Sequence, residues 1–190
     1  MVSYIYKKLL WFIITGLFFS FTCCNDNIVS SSNSNEGLCI YATKININSD
    51  LSYQNIDLEK AELIGEPIIS YNHIILYDTS NHVLTLSFSQ DSLKKRIAQI
   101  SAYNDINAIY GMPYIVTLDH EKIYGGWFWS PVSSIPCHSV VILLDTVSDA
   151  LKINEIKIQL GYPDENQFKG IDPRNNKKII ERLIKDQKLR

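Results

Sequence analysis

Pro113 to Leu118 reads PYIVTL and Lys122 to Trp129 reads KIYGGWFW, with the polar triplet Asp119-His120-Glu121 between them. Two runs rich in β-branched and aromatic residues around a short charged connection predict a β-hairpin. Outward from it, Leu38 to Ile47 (LCIYATKINI) is β-rich, and His82 to Phe88 (HVLTLSF) and Glu155 to Leu160 (EIKIQL) alternate apolar and polar positions. Val140 to Leu144 (VVILL) is a short apolar run. Few segments between these strands have the length of a βαβ crossover. The expected fold class is therefore α+β, with a single mixed or antiparallel sheet of about five to six strands and one to three helices.

The helices have readable starts. Ser89 is placed to cap a helix from Asp91 to about Ile100, with Leu93, Ile97 and Ile100 on one face and Lys94, Lys95 and Arg96 around the other. Asp172-Pro173 predicts a second start, an N-cap acid followed by proline, leading to Ile179, Ile180, Leu183 and Ile184 in an amphipathic C-terminal helix over about 173–188. Leu58 to Leu63 offers a weaker helical pattern.

At the N-terminus, Lys7 and Lys8 precede the uncharged run Leu9 to Thr22, which ends at Cys23-Cys24. An apolar stretch of roughly 13 residues matches a secretion signal of about 7–15 and falls short of the ~20 that span a bilayer. The segments expected are a signal peptide over 1–23, a flexible polar tether over 24–37, and one α+β domain over 38–190. About 165 residues after the signal suit one domain with a real core. Without Lys7 and Lys8, the formal charge moves from −2 to −4, and basic residues collect after Arg174. An acidic body of this kind argues against nucleic acid as a partner. The basic, apolar-striped terminal helix suits either docking on the domain or lying on an anionic membrane surface.

A cysteine directly after the apolar run resembles the lipobox of bacterial lipoproteins, which implies lipidation at Cys24, or at Cys23, and a membrane as partner through the N-terminal lipid. The usual Leu and Gly/Ala before the modified cysteine are absent. The order of a strand, then GEPIISYNHIILYDTSNHVLTLS, a short helix, YGMPYIVTLDHEKIYGGWFWSPVSSIP, an apolar strand and IQLGYP resembles small bacterial lipoproteins and secreted proteins of uncharacterised function. Glu66-Pro67 followed by a strand, a helix and the Tyr114-Ile115-Val116 strand is similar, at the level of fold, to the periplasmic head of the Sec translocon accessory subunit. These resemblances imply a cell-envelope location and bring no catalytic residues.

Chemistry-bearing motifs are sparse. His73, His82, His120 and His138 show no HxH, HxxxH or HExxH spacing, so no metal site is expected. No Walker loop or GxGxxG element is present, and no cofactor is expected. Cys137-His138 are neighbours, yet neighbours on a strand point to opposite faces. Ser133 and Ser134 lack the elbow that exposes a nucleophile. Asp78, Asp91, Asp119 and Asp145 read as turn acids unless the fold pairs them. Cys39 and Cys137 are open to two readings, a disulfide in an oxidising compartment or two separate buried thiols.

The most distinctive window is Tyr124-Gly125-Gly126-Trp127-Phe128-Trp129. Three successive large aromatics on a strand cannot share a face. Tyr124, Trp127, Phe128 and Trp129 therefore suggest a binding hairpin for an envelope protein, peptide or glycan, or a strand covered by the loop that follows it. The functional expectation is an envelope-anchored lipoprotein acting as a non-enzymatic binding module. The alternatives are an envelope hydrolase assembled from loop His, Cys and carboxylate groups, or a purely structural domain.

Overall fold

The computed structural model describes residues 35–44, 56–103, 111–144 and 151–190. The signal segment, Cys23, Cys24, most of the tether and Asp145 lie outside the described residues. Among the described residues, no helix is long and apolar enough to cross a membrane.

Eight strands form one open, mixed sheet in the order β2-β1-β5-β6-β7-β8-β4-β3. They are β1 (Leu38–Lys44), β2 (Glu62–Ile69), β3 (Ile74–Asp78), β4 (Val83–Leu86), β5 (Met112–Leu118), β6 (Glu121–Trp129), β7 (Cys137–Leu143) and β8 (Glu155–Tyr162). The expected five or six strands thus become eight. One of the additional strands, β2, begins at the end of the weak helical candidate Leu58 to Leu63, taking in only Glu62 and Leu63. There the chain closes a single turn, Ala61 N donating to Asp57 O at 3.0 Å, and then extends. Gly65 and Pro67 break β2 as a sequence pattern, and proline is tolerated because β2 is an edge strand. The other, β3, shows no strict alternation in its burial.

The β5–β6 hairpin turns through Asp119-His120, both at positive φ (47° and 71°), with Leu118 paired to Glu121. Left-handed backbone at both loop positions follows the twist of the strands, and aspartate and histidine are among the residues that tolerate it. β6 and β7 are parallel, with Trp129 opposite Leu143. Ser130–Pro136 must therefore carry the chain back along the strands by roughly 20 Å at ~3.3 Å per residue, without a helix. It starts with a tight turn in which Ser133 N donates to Ser130 O at 3.1 Å and Pro131 supplies the bend.

Connectivity forces the sheet to curl. β2 and β3 lie at opposite edges, yet only Ser70–His73, mostly a 3₁₀ turn, separates them in the chain. Eight flat strands would hold these edges about 34 Å apart, whereas the chain from Ile69 to Ile74 reaches at most ~18 Å. The concave side collects the main core. One cross-strand row joins Ala42, Tyr114, Gly126, Val140 and Leu160, and another joins Met112, Phe128, Ile142 and Ile158. Each large apolar side chain fully buried there contributes roughly 1.5–3 kcal/mol.

Helix α1 (Gln90–Tyr103) starts as the sequence predicts. Ser89 Oγ accepts from Ser92 N at 3.3 Å, and Leu93 and Ile97 are buried in the main core. Helix α2 (Lys177–Lys185) is shorter than expected and is capped by Asn176, whose side chain accepts from Lys178 N at 3.0 Å. Asp172 is not the cap because its carboxylate is engaged by Arg174, through the backbone N at 2.9 Å and Nη2 at 2.8 Å. Ile179 and Leu183 dock into the main core and Ile180 packs against it, whereas Ile184, the fourth residue of the expected stripe, is left exposed.

Candidate functional site

The aromatic run on β6 divides between the two faces of the sheet. Tyr124 and Phe128 face the concave core, where Tyr114 lies 4.9 Å from the Phe128 ring and directly opposite Gly126. A Cβ at Gly126 would meet the Tyr114 hydroxyl and, at 2.7 Å, the Val140 carbonyl, so glycine is what admits the Tyr114 ring. Trp127 and Trp129 occupy the convex face, edge to face at 6.3 Å, in a second cluster with Cys137 and Val141. Ile135 of the returning loop and Tyr162 pack against that cluster, and Tyr162 Oη donates to Pro131 O at 2.6 Å. Trp127 and Trp129 are left 3% and 1% exposed. The residues expected to form a contact surface are therefore core residues on both faces, covered in part by the connection that follows them.

The cysteines are two separate buried thiols. Cys39 belongs to the main core and Cys137 to the convex cluster, and β5 and β6 separate β1 from β7, a distance of about 14 Å at ~4.8 Å per strand. A disulfide requires Cα atoms within about 7 Å. Burial pushes the Cys137 thiol up to about 12 and also raises that of Cys39. Cys137 is consequently a protonated core residue, unsuited to nucleophilic attack. Its neighbour His138 donates from Nδ1 to Gln167 O at 2.7 Å, away from the thiol.

Of the other titratable residues singled out in the sequence, several have their own local partners in separate parts of the fold. His73 Nδ1 lies 2.9 Å from Ser70 Oγ and accepts from Ser70 N at 3.1 Å, a capping arrangement of the 3₁₀ turn. Burial, helped by the Arg96 charge, lowers its pKa. His82 meets Tyr77 Oη at 2.9 Å, and burial with the Arg174 charge lowers its pKa. Asp91 pairs with Lys94, and Asp78 accepts from the Ser80 hydroxyl and backbone. Asp119 accepts from Gly37 N at 2.8 Å and Arg182 Nη1 at 2.6 Å. Ser133 is held within its own loop by Ile135. Among the described residues, no group of three or more His, Cys, Asp or Glu side chains is arranged to hold a metal ion.

An open groove lies at the sheet edge. Ile64, Gly65, Glu66, Pro67 and Ile68 of β2 face Arg96, Gln99 and Ile100 of α1 across an open groove of about 540 Å³. That volume lies within the usual range of about 300–1,000 Å³ for ligand sites. Its lining is mainly aliphatic. The Arg96 guanidinium stands 4.3 Å over the Phe88 ring and donates from Nη1 to Ile68 O at 3.1 Å, which fixes one charged group in the wall. The Gly and Pro of GEPII conceal β2 in the sequence. Only the polar side of α1, where Arg96 and Gln99 fall one turn apart, hints at this wall.

Comparison of the chain with protein-family models, with curated proteins and with solved structures finds no match. The resemblances drawn from residue order therefore rest on that order alone.

Proposed function

We propose that the chain is an envelope lipoprotein, tethered through Cys24 or Cys23, whose domain is a non-enzymatic binding module that uses the β2–α1 groove as its contact surface. The observation carrying this reading is the groove itself, an open, aliphatic depression between an edge strand and a helix, with one fixed guanidinium. Asp78, Asp91, Asp119 and His138 are taken up by local contacts outside the groove lining, whereas Glu66 lines it and His73 stands behind the Phe88 ring on which Arg96 stacks. The groove takes the role expected of the aromatic hairpin, whose rings are committed to the core.

Two experiments test the two halves. Intact mass of protein extracted from membranes, beside a Cys23→Ser/Cys24→Ser double variant, is expected to show a cleaved, acylated chain that the variant lacks; an uncleaved or unacylated chain refutes the tether. A photo-reactive residue at Gln99 is expected to give a discrete cross-linked product in intact envelopes. The same residue at Val132, which is 90% exposed on the returning loop, is expected to give none. Equal products from both positions, or none from Gln99, refute the groove.

A further inference from the structure

The far edge of the sheet, β3, is already occupied. After α2, Gln187 adopts φ 57°, with Lys188 N donating to Leu183 O at 2.8 Å and Gln187 N to Ile184 O at 3.1 Å. This left-handed exit turns the chain onto β3. There Tyr77 N donates to Lys188 O at 2.8 Å, Arg190 N to Tyr77 O at 2.9 Å and Thr79 N to Arg190 O at 3.1 Å. The bonds describe a short parallel strand centred on Leu189 opposite Tyr77.

A built ammonium site accompanies this pairing. Lys188 Nζ donates to Tyr71 O at 2.8 Å and Ile74 O at 2.7 Å, and it stands 4.1 Å from the centre of the Tyr71 ring. Two carbonyls and an aromatic face are the groups that recognise a desolvated cation. The site is held rigid from outside the tail's own strand. Tyr71 Oη donates to Asp186 Oδ2 at 2.6 Å, and the ring packs on Gly37, where a Cβ would collide with it. Arg190 adds an outer contact to Asp78 at 3.8 Å, while Leu189 packs against the main core.

We infer that the β3 edge and the Tyr71–Ile74 turn form a peptide-binding site that reads a lysine, and that Lys188–Arg190 is its built-in, exchangeable occupant. The ligand class is an extended segment of lysine–aliphatic–arginine sequence, bound by backbone pairing along β3 with its ammonium between the Tyr71 and Ile74 carbonyls. Backbone pairing supplies affinity and the ammonium site supplies selectivity. The site is independent of the β2–α1 groove and stands whether or not that groove binds a partner.

The test uses the full chain carrying Lys188→Glu, which places a carboxylate against the two carbonyls and expels the tail. The probe is a fluorescent peptide with the sequence of residues 186–190, followed by anisotropy. The variant is expected to capture it at least ten-fold more tightly than the intact chain, whose own tail competes, and a peptide with Glu in place of the Lys is expected to bind neither protein. Equal capture by both proteins, capture indifferent to the lysine of the peptide, or no capture by a folded variant overturns the inference. Hydrogen exchange on the intact chain decides the matter if the variant does not fold. The Tyr77 and Thr79 amides, bonded to the tail, are expected to exchange at least ten-fold faster than the Leu86 amide, which donates to Asn154 O at 2.8 Å. Equal rates mean that the tail opens only with the sheet and overturn the inference.

Discussion

The aromatic strand β6 and the β2–α1 edge make opposite use of their sequence. β6 carries Tyr124, Trp127, Phe128 and Trp129, the residue types that dominate contact surfaces, and all four are buried. The β2 edge carries Gly65, Glu66 and Pro67, and with Ile64 and Ile68 these border an open groove. The difference lies in coverage. β6 is a central strand whose convex face is crossed by the connection to its parallel neighbour, so rings on either side find an apolar environment. β2 has a neighbour on one side only, and its pairing with β1 is irregular around the left-handed Gly65 and Pro67.

Trp129→Ala is the change expected to act most strongly. It removes a large ring from the convex cluster and is expected to cost about 3–5 kcal/mol, read as a lower urea midpoint. A cost within the surface range would place Trp129 outside the core. Gly126→Ala comes next, at about 1–3 kcal/mol, because the added methyl meets the Val140 carbonyl as well as the Tyr114 hydroxyl. Denaturation at neutral pH checks it, and a neutral outcome would mean that Tyr114 has room to move.

Tyr71→Phe sharpens the contrast at the corner joining β2 to β3. It removes the hydroxyl that donates to the Asp186 carboxylate and is expected to cost about 1.5 kcal/mol at neutral pH. The bonds from Tyr71 and Arg182 hold the Asp186 carboxyl below its ordinary value. Its stabilisation is present above the unfolded-state value of about 3.9 and is lost as pH falls through the lower folded value. The difference between Tyr71→Phe and the parent chain is therefore expected to shrink below about pH 4. A difference that grows on acidification would contradict the assignment. Gln99→Ala, an exposed position on the groove wall, is expected to stay within about 0.5 kcal/mol of the parent.

Much of the fold is legible in the residues. The polar turn between β5 and β6, read as Asp119-His120-Glu121 and closed already at Asp119-His120, the capping of α1 by Ser89 and most of the apolar stripe of α2 follow from local chemistry, which reads without tertiary information. Position in the sheet is another matter. Pro67 argues against a strand unless the strand lies at an edge, and Asp172-Pro173 reads as a helix start until Arg174 is seen to claim the carboxylate. The aromatic window reads two ways for the same reason, because alternation places rings on two faces and only topology says what covers them. The lysine site was hidden more deeply still, since its two carbonyls carry no side-chain signature.

Urea denaturation of Trp129→Ala beside Gln99→Ala, both against the parent chain, tests most directly the claim that the aromatic strand is core and the β2–α1 edge is the available surface. A loss of about 3–5 kcal/mol is expected for the first and no more than about 0.5 kcal/mol for the second. A mild Trp129→Ala together with a strongly destabilised Gln99→Ala would contradict it.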